Sequence, residues 1–203
     1  MKKAAEEVLR SLEATKDEFW NISRETGDFI SFLVKTAKVK NALEIGTSNG
    51  YSAIRTALAL KTTGGKLTTV EYWEKRRSLA VENFKKCEVD DIITSLQGSA
   101  EEVILTQLRG ETFDFVFIDA NKAGYIKFFR AIHPMLTEGG IIVADDIISH
   151  ADSVKPFVEE ISGRDDYETQ ILNLPDGVLV ARKKTTAELE NEHCEREMQG
   201  GAA

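Results

Sequence analysis

Asp119, Lys122 and the pair Asp145-Asp146 are the residues of this chain best suited to do chemistry together. Asp119 follows the apolar run Phe113-Asp114-Phe115-Val116-Phe117-Ile118, and the acid pair follows Gly139-Gly140-Ile141-Ile142-Val143-Ala144. Apolar runs that end in carboxylates are how the parallel strands of an α/β sheet present side chains at their carboxyl ends. If the two strands are neighbours, three carboxylates converge, and they repel one another unless a proton or a cation intervenes. A hard divalent ion takes oxygen ligands, keeps water positions open and can hold substrate oxygens. Asp119, Asp145 and Asp146 are therefore candidate ligands of one ion, with Mg²⁺ ahead of Mn²⁺ or Ca²⁺. Taken singly, each acid could equally cap a helix or pair with Arg or Lys. Lys122 lies three residues past Asp119. A lysine beside a metal-bound hydroxyl can lose its proton and serve as general base, so Lys122 and Asp119 are the candidate catalytic residues. Tyr125 reads as a packing residue beside them and His150 as an exposed loop residue. Trp20, Trp73 and the phenylalanines read as core or interface residues.

A second constellation is Leu43-Glu44-Ile45-Gly46-Thr47-Ser48-Asn49-Gly50-Tyr51-Ser52, in which a short apolar strand runs through a glycine turn into a helix. Glycines let backbone approach a ligand closely, and a helix start offers free N–H groups. The spacing is neither the dinucleotide Gly-x-Gly-x-x-Gly fingerprint nor a phosphate-binding loop with Gly-Lys-Ser/Thr. A purely structural turn competes with a ligand-binding one until Glu71 is considered. Glu71 ends the next strand, about 20 residues on, where an acid can accept both ribose hydroxyls. An acid at Glu44 suits a cationic or zwitterionic nucleoside better than a pyrophosphate. That combination favours S-adenosylmethionine over NAD, with Glu44, Gly46, Ser48, Gly50, Ser52, Glu71 and Asp119 around it. Ser99 and Ala100 sit where a turn could contact adenine, and Ser99 could also cap a helix.

Strands and helices must alternate to place these residues. Helical periodicity covers residues 4–23 and 26–37, then 51–60, 74–87, 101–108, 126–135 and 154–161, the last accommodating Pro156 in its first turn. Strands are expected at 42–45, 66–70, 92–96, 113–118 and 140–144. An antiparallel pair at 168–172 and 178–182 turns through Pro175-Asp176-Gly177. The predicted fold is a single α/β domain: a mostly parallel sheet with helices on both faces and an antiparallel C-terminal edge. Residues 1–24 form an N-terminal helical segment and 25–184 the cofactor-binding domain. Residues 185–203 are polar and read as a frayed helix or a disordered tail.

The 203-residue chain carries a formal charge of -8 and a sequence pI near 5.1, which disfavours non-specific nucleic-acid binding through a basic face. It has no apolar run long enough to span a membrane and no secretory h-region at its N-terminus. Its two cysteines, Cys87 and Cys194, read as free thiols of a reducing compartment, and a cytoplasmic location is expected.

On these residues the chain resembles the cation-dependent class I S-adenosylmethionine O-methyltransferases, a family that includes the catechol and caffeoyl-CoA enzymes. The resemblance covers about residues 25–184 and rests on the 43–52 loop, Val70-Glu71, Phe117-Ile118-Asp119-Ala120-Asn121-Lys122-Ala123-Gly124-Tyr125 and Val143-Ala144-Asp145-Asp146. It implies a Rossmann-like methyltransferase fold, a metal on Asp119, Asp145 and Asp146, Lys122 as base, and Glu71 on the ribose. It also implies a small ortho-dihydroxy acceptor and a homodimer. The chain departs from the family in carrying Asp146 where Asn is usual, and Asn121 where an aromatic or acidic residue is common. Asn173 aligns with a carboxylate of the catechol type. Two other functions stay open: O-methylation of a hydroxylated tRNA base, for which Lys35, Lys38 and Lys40 offer a basic edge, and a binding protein of the same fold without catalysis.

Overall fold

The computed structural model describes residues 2–200, with side chains described over 4–194. The helices are α1 (Lys2–Glu13), α2 (Lys16–Phe19), α3 (Arg24–Thr36), α4 (Tyr51–Thr63), α5 (Glu74–Lys86), α6 (Ala100–Thr106), α7 (Tyr125–Ile132), α8 (Ala151–Ser162) and α9 (Thr186–Gly200). The strands are β1 (Asn41–Ile45), β2 (Lys66–Glu71), β3 (Ile93–Gln97), β4 (Phe113–Ile118), β5 (Leu136–Ala144), β6 (Tyr167–Leu172) and β7 (Val178–Lys183). They form one sheet in the order β3-β2-β1-β4-β5-β7-β6. β1 to β5 are parallel, β7 runs against β5, and β6 pairs antiparallel with β7.

Side-chain alternation along the strands divides the apolar core in two. Leu43, Ile45, Val116 and Ile118 face α6, α7 and α8. Ala42, Phe115 and Phe117 face α1, α3, α4 and α5. Both faces are thus covered, as a parallel sheet requires.

The strand order reverses between β1 and β4, and at such a switch point the crossovers diverge and leave a crevice at the carboxyl edge. Backbone pairing continues one residue past the strands here. Gly46 N donates to Val70 O at 3.0 Å, Asp119 N to Ile45 O at 2.9 Å and Asp145 N to Ile118 O at 3.1 Å. Gly46, Asp119 and Asp145 therefore stand in register on one edge.

Three elements differ from the sequence expectation. The helix expected over 4–23 is broken: Trp20 has a left-handed backbone (φ 55°), and buried Asn21 donates from Nδ2 to Leu12 O at 2.9 Å. Burying Asn21, Ile22 and Ser23 turns the chain, and Ser23 Oγ caps α3 by accepting from Thr26 N at 3.0 Å. β5 begins at Leu136 rather than 140, because a register shift opposite Phe113–Phe115 absorbs the extra residues at Gly139 (φ 73°). α8 begins at Ala151, which places Pro156 inside the helix rather than in its first turn. Of the two readings for the polar C-terminal segment, the helix holds over residues 186–200. Glu188 accepts from Arg182 at 2.6 Å and Glu192 from Lys184 at 2.7 Å. The last residues of that segment, 201–203, lie outside those described. Among the described residues no helix is long and apolar enough to cross a membrane.

Candidate active site

A cavity of about 1000 Å³ opens over the carboxyl ends of β1, β2, β4 and β5. Its volume lies at the upper end for small-molecule sites, enough for a cofactor and an acceptor together.

On the β1–β2 side the loop after β1 is shaped by close approach. A Cβ on Gly46 would lie 1.8 Å from the Asp119 carbonyl oxygen, and its φ of +98° is left-handed, so only glycine fits. Glu71, buried, organises the loop from β2: its Oε2 accepts from Thr47 N at 3.2 Å and Ser48 N at 2.8 Å, and its Oε1 from Trp73 N at 2.9 Å. Gly46, Ser48, Ser52 and Glu71 line the cavity, as do Ser99 and Ala100 at the start of α6. Ser99 stands at the N-cap position of α6 without a side-chain capping bond. Glu44 and Gly50 are placed behind this wall rather than in it. Glu44 is buried beneath the loop, accepting from Ser52 Oγ at 2.6 Å and Thr69 Oγ1 at 2.5 Å. Burial pushes its pKa up to about 8, reinforced by Asp119 and Glu71 and opposed by the two hydroxyls. Gly50 starts α4 with a left-handed φ of +90° and packs against Phe84 and Ala80 of α5.

On the β4–β5 side the acids are less well satisfied. Lys122 Nζ lies 2.7 Å from Asp119 Oδ1 and 2.5 Å from Asp146 Oδ2, and donates to Tyr125 OH at 3.0 Å. Burial alone would lower the Lys122 pKa, but Asp119 and the other acceptors outweigh it and raise it, so the ammonium form is strongly favoured. Asp119 is raised by burial, against the pull of Lys122. Asp145 is buried, and its Oδ1 has no hydrogen-bond partner among the described residues. Burial, then Asp119 and Asp146, push its carboxyl up to about 8. Asp146 has a left-handed backbone (φ 64°) and accepts from Ser149 Oγ at 2.9 Å.

The donor chemistry here suits a hard divalent cation: every donor is a carboxyl oxygen, and one of them is buried and unpartnered among the described residues. The pose is not that of a loaded site. Among the described residues no three Asp, Glu, His or Cys side chains are grouped to hold an ion. Asp119 and Asp146 are instead both turned onto the Lys122 ammonium.

Other residues fall as follows. Tyr125 is packed, as expected, and its hydroxyl also donates to Ile118 O and Asp145 O, each at 3.2 Å. His150 is half-exposed at the cavity rim. Trp20 and Trp73 are not core: they are 73% and 62% exposed and line the cavity, with Arg76 Cζ lying 4.6 Å from the Trp20 ring centroid. The turn at residue 20, where the expected helix over 4–23 breaks, places the Trp20 ring at the cavity. Asn173 is exposed and outside the cavity lining, whereas Asp176, three residues on, lines it. The turn signal at Pro175-Asp176-Gly177 marked this residue's backbone but not its direction. Lys35, Lys38 and Lys40 precede β1 and so lie toward the opposite, amino-terminal edge of the sheet.

Known proteins share this sequence pattern and this fold. A family model described as O-methyltransferase matches residues 3–184. A caffeoyl-CoA O-methyltransferase of Medicago sativa is 32% identical over 158 residues, which cover 74% of this chain and 64% of that protein. The tapetum-specific methyltransferase 1 of Arabidopsis thaliana is 35% identical over 150 residues, 70% of this chain and 64% of that protein. The matches therefore span less than two thirds of the length of these relatives. Among solved structures, the O-methyltransferase from Bacillus cereus in complex with SAH superposes with a TM-score of 0.80 at 27% identity, covering 90% of this chain and 91% of that one. The SAH-bound methyltransferase of Podospora anserina also reaches 0.80 at 27% identity, covering 90% and 88%.

Proposed function

We propose, since this chain belongs to the O-methyltransferase family, that it moves a methyl group from S-adenosylmethionine to one hydroxyl of a small ortho-dihydroxy acceptor. The observation that carries the reading is the pairing of Lys122 with Asp119 and Asp146 at the sheet's switch point, beside the unpartnered Asp145 oxygen and open to one large cavity. SAH-bound neighbours of the same fold support the choice of cofactor. The caffeoyl-CoA O-methyltransferase relatives support a phenolic acceptor.

The residues divide the work by position. Glu71 would exchange its bonds to the loop N–H groups for the two ribose hydroxyls. Gly46 lets the backbone come close to the ligand, and Ser48, Ser52, Ser99 and Ala100 complete the wall. Glu44, one layer below, would not touch the ligand; it holds Ser52 and Thr69 in place beneath the loop. Asp119, Asp145 and Asp146 would hold a divalent cation, whose contribution when bound is to acidify the acceptor hydroxyl and steady the resulting oxyanion. Lys122 would take the acceptor proton. It can do so only when Asp119 and Asp146 are engaged elsewhere, because with both beside it the amine stays protonated. The acceptor oxygen then attacks the methyl carbon, the carbon–sulfur bond breaks, and the sulfonium becomes the neutral thioether of S-adenosylhomocysteine. The protein's main contribution is to hold the two reactants in line and close together.

The test is methyl transfer from labelled S-adenosylmethionine to a panel of ortho-dihydroxy compounds, their monohydroxy analogues and total tRNA, each with and without EDTA. Transfer confined to ortho-dihydroxy compounds and lost in EDTA is expected. Equal transfer to monohydroxy analogues, transfer to tRNA alone, or EDTA-resistant turnover would each overturn the reading.

A further inference from the structure

The segment around α2 crosses the cavity instead of bordering it. Lys16, Phe19, Trp20 and Ile22 all line the opening, and the segment touches three separated parts of the sheet edge. Lys16 Nζ reaches Asp176 Oδ2, in the β6–β7 turn, at 3.8 Å. The Phe19 carbonyl accepts from Ser48 Oγ, in the β1–α4 loop, at 2.7 Å. The Trp20 ring lies against Arg76 of α5. These contacts run from the acid side of the switch point, over its middle, to the nucleoside side. Both side-chain latches are weak in kind, because each is solvent-exposed. The segment's roots are firm: Asn21 and Ser23 are buried, and Asn21 is tied to α1. Trp20, between a four-residue helix and that root, has a left-handed backbone where the exposed segment meets the buried root. Arg76 has no carboxylate within salt-bridge distance among the described residues, so Trp20 is its specific partner.

We infer that residues 16–20 form a strap that closes over the bound cofactor, with Trp20 as its covering side chain and the Arg76 and Asp176 contacts as its two latches. The inference rests on the proposed cofactor. Bulk ligand must pass beneath the strap to enter or leave, so each latch slows both directions of exchange. A residue that merely touches the ligand would slow departure alone.

The chain has two tryptophans, so Trp73→Phe leaves Trp20 as the sole indole reporter. Stopped-flow emission of that full-length variant on mixing with S-adenosylhomocysteine should show a change at Trp20. Adding Arg76→Ala or Lys16→Ala should raise association and dissociation rates together, by about two- to fivefold for each latch. Arg76→Lys, which keeps the cation, should fall between. Calorimetry on the same proteins separates the strap from the cofactor site beneath it. If S-adenosylhomocysteine binds but Trp20 emission is unchanged, the strap is wrong and the cofactor reading stands. The strap is equally wrong if the latch variants raise dissociation alone or neither rate. If no binding heat is seen, both fall.

Discussion

The two sides of the switch point carry similar numbers of buried acids and treat them in opposite ways. On the β1–β2 side each carboxylate is matched: Glu71 by three backbone N–H groups and Glu44 by two hydroxyls. On the β4–β5 side one lysine serves Asp119 and Asp146, and a buried oxygen of Asp145 has no partner among the described residues. The first side has its hydrogen bonds made, and the proposed cofactor would have to exchange some of them. The second lacks positive charge. Buried acids without sufficient counter-charge cost stability, and that cost would favour uptake of the proposed cation.

The largest effect should come from the unfinished side. Lys122→Met should lower kcat for methyl transfer by about 10²–10⁴-fold, the usual weight of a general base. S-adenosylhomocysteine affinity, measured by calorimetry, should hold. A loss of affinity with kcat preserved would move Lys122 into the cofactor half.

Next, each side holds one carboxyl raised to about 8, Glu44 and Asp145. Such a group binds more protons folded than unfolded between its unfolded pKa, about 4, and its folded one. Its stabilising contribution is therefore complete below about pH 4 and is lost as pH rises through 8. The slope is about 1.4 kcal/mol per pH unit for each group across most of that window. Glu44→Gln, which can still bond Ser52 and Thr69, should remove one share of the decline in urea-unfolding stability between pH 5 and 8. If the variant keeps the full slope, Glu44 is already ionised and only the β4–β5 side holds a raised carboxyl.

A divalent cation should distinguish them by a smaller amount. Adding Mg²⁺ at about 100 times its dissociation constant should stabilise the protein by about 2.7 kcal/mol, read as a raised unfolding midpoint and reversed by EDTA. Asp145→Asn should abolish that shift, whereas Glu44→Gln should keep it.

The smallest effect belongs to the far edge of the sheet. Asp114 accepts from Lys40 N at 2.7 Å and Asn41 N at 2.9 Å, tying the starts of β1 and β4 together. Asp114→Ala should cost about 1–2 kcal/mol of stability and leave kcat unchanged. A change in kcat would mean that the amino-terminal edge communicates with the site.

How much of this was legible in the sequence depended on distance along the chain. The parallel strands and their order of alternation with helices follow from local periodicity, and the acids at their ends follow from where the apolar runs stop. Gly46 is legible as a turn glycine from its local loop, but the neighbour that excludes a Cβ, the Asp119 carbonyl, is remote in sequence and belongs to the loop after β4. The sequence places Glu44 at the cofactor pocket, yet the same alternation that orients β1 turns it under the loop. The expected N-terminal helix failed at Trp20 for a related reason. Its periodicity continues past the turn, but burial of Asn21, Ile22 and Ser23 requires the break.

From the sequence alone came the succession of elements and the chemical types at the strand ends, since hydrophobic period and turn residues act over a few positions. The tertiary structure alone decided partners. The pairing of β4 with β5 sets Asp119 beside Asp145, the fold lets Lys122 reach two acids and leaves one oxygen of the third without a bond among the described residues, and the α2 segment is laid across the opening. Charge and hydrogen-bond balance in a buried site depends on which groups come within a few ångströms, and residues remote in sequence meet only once the sheet is assembled.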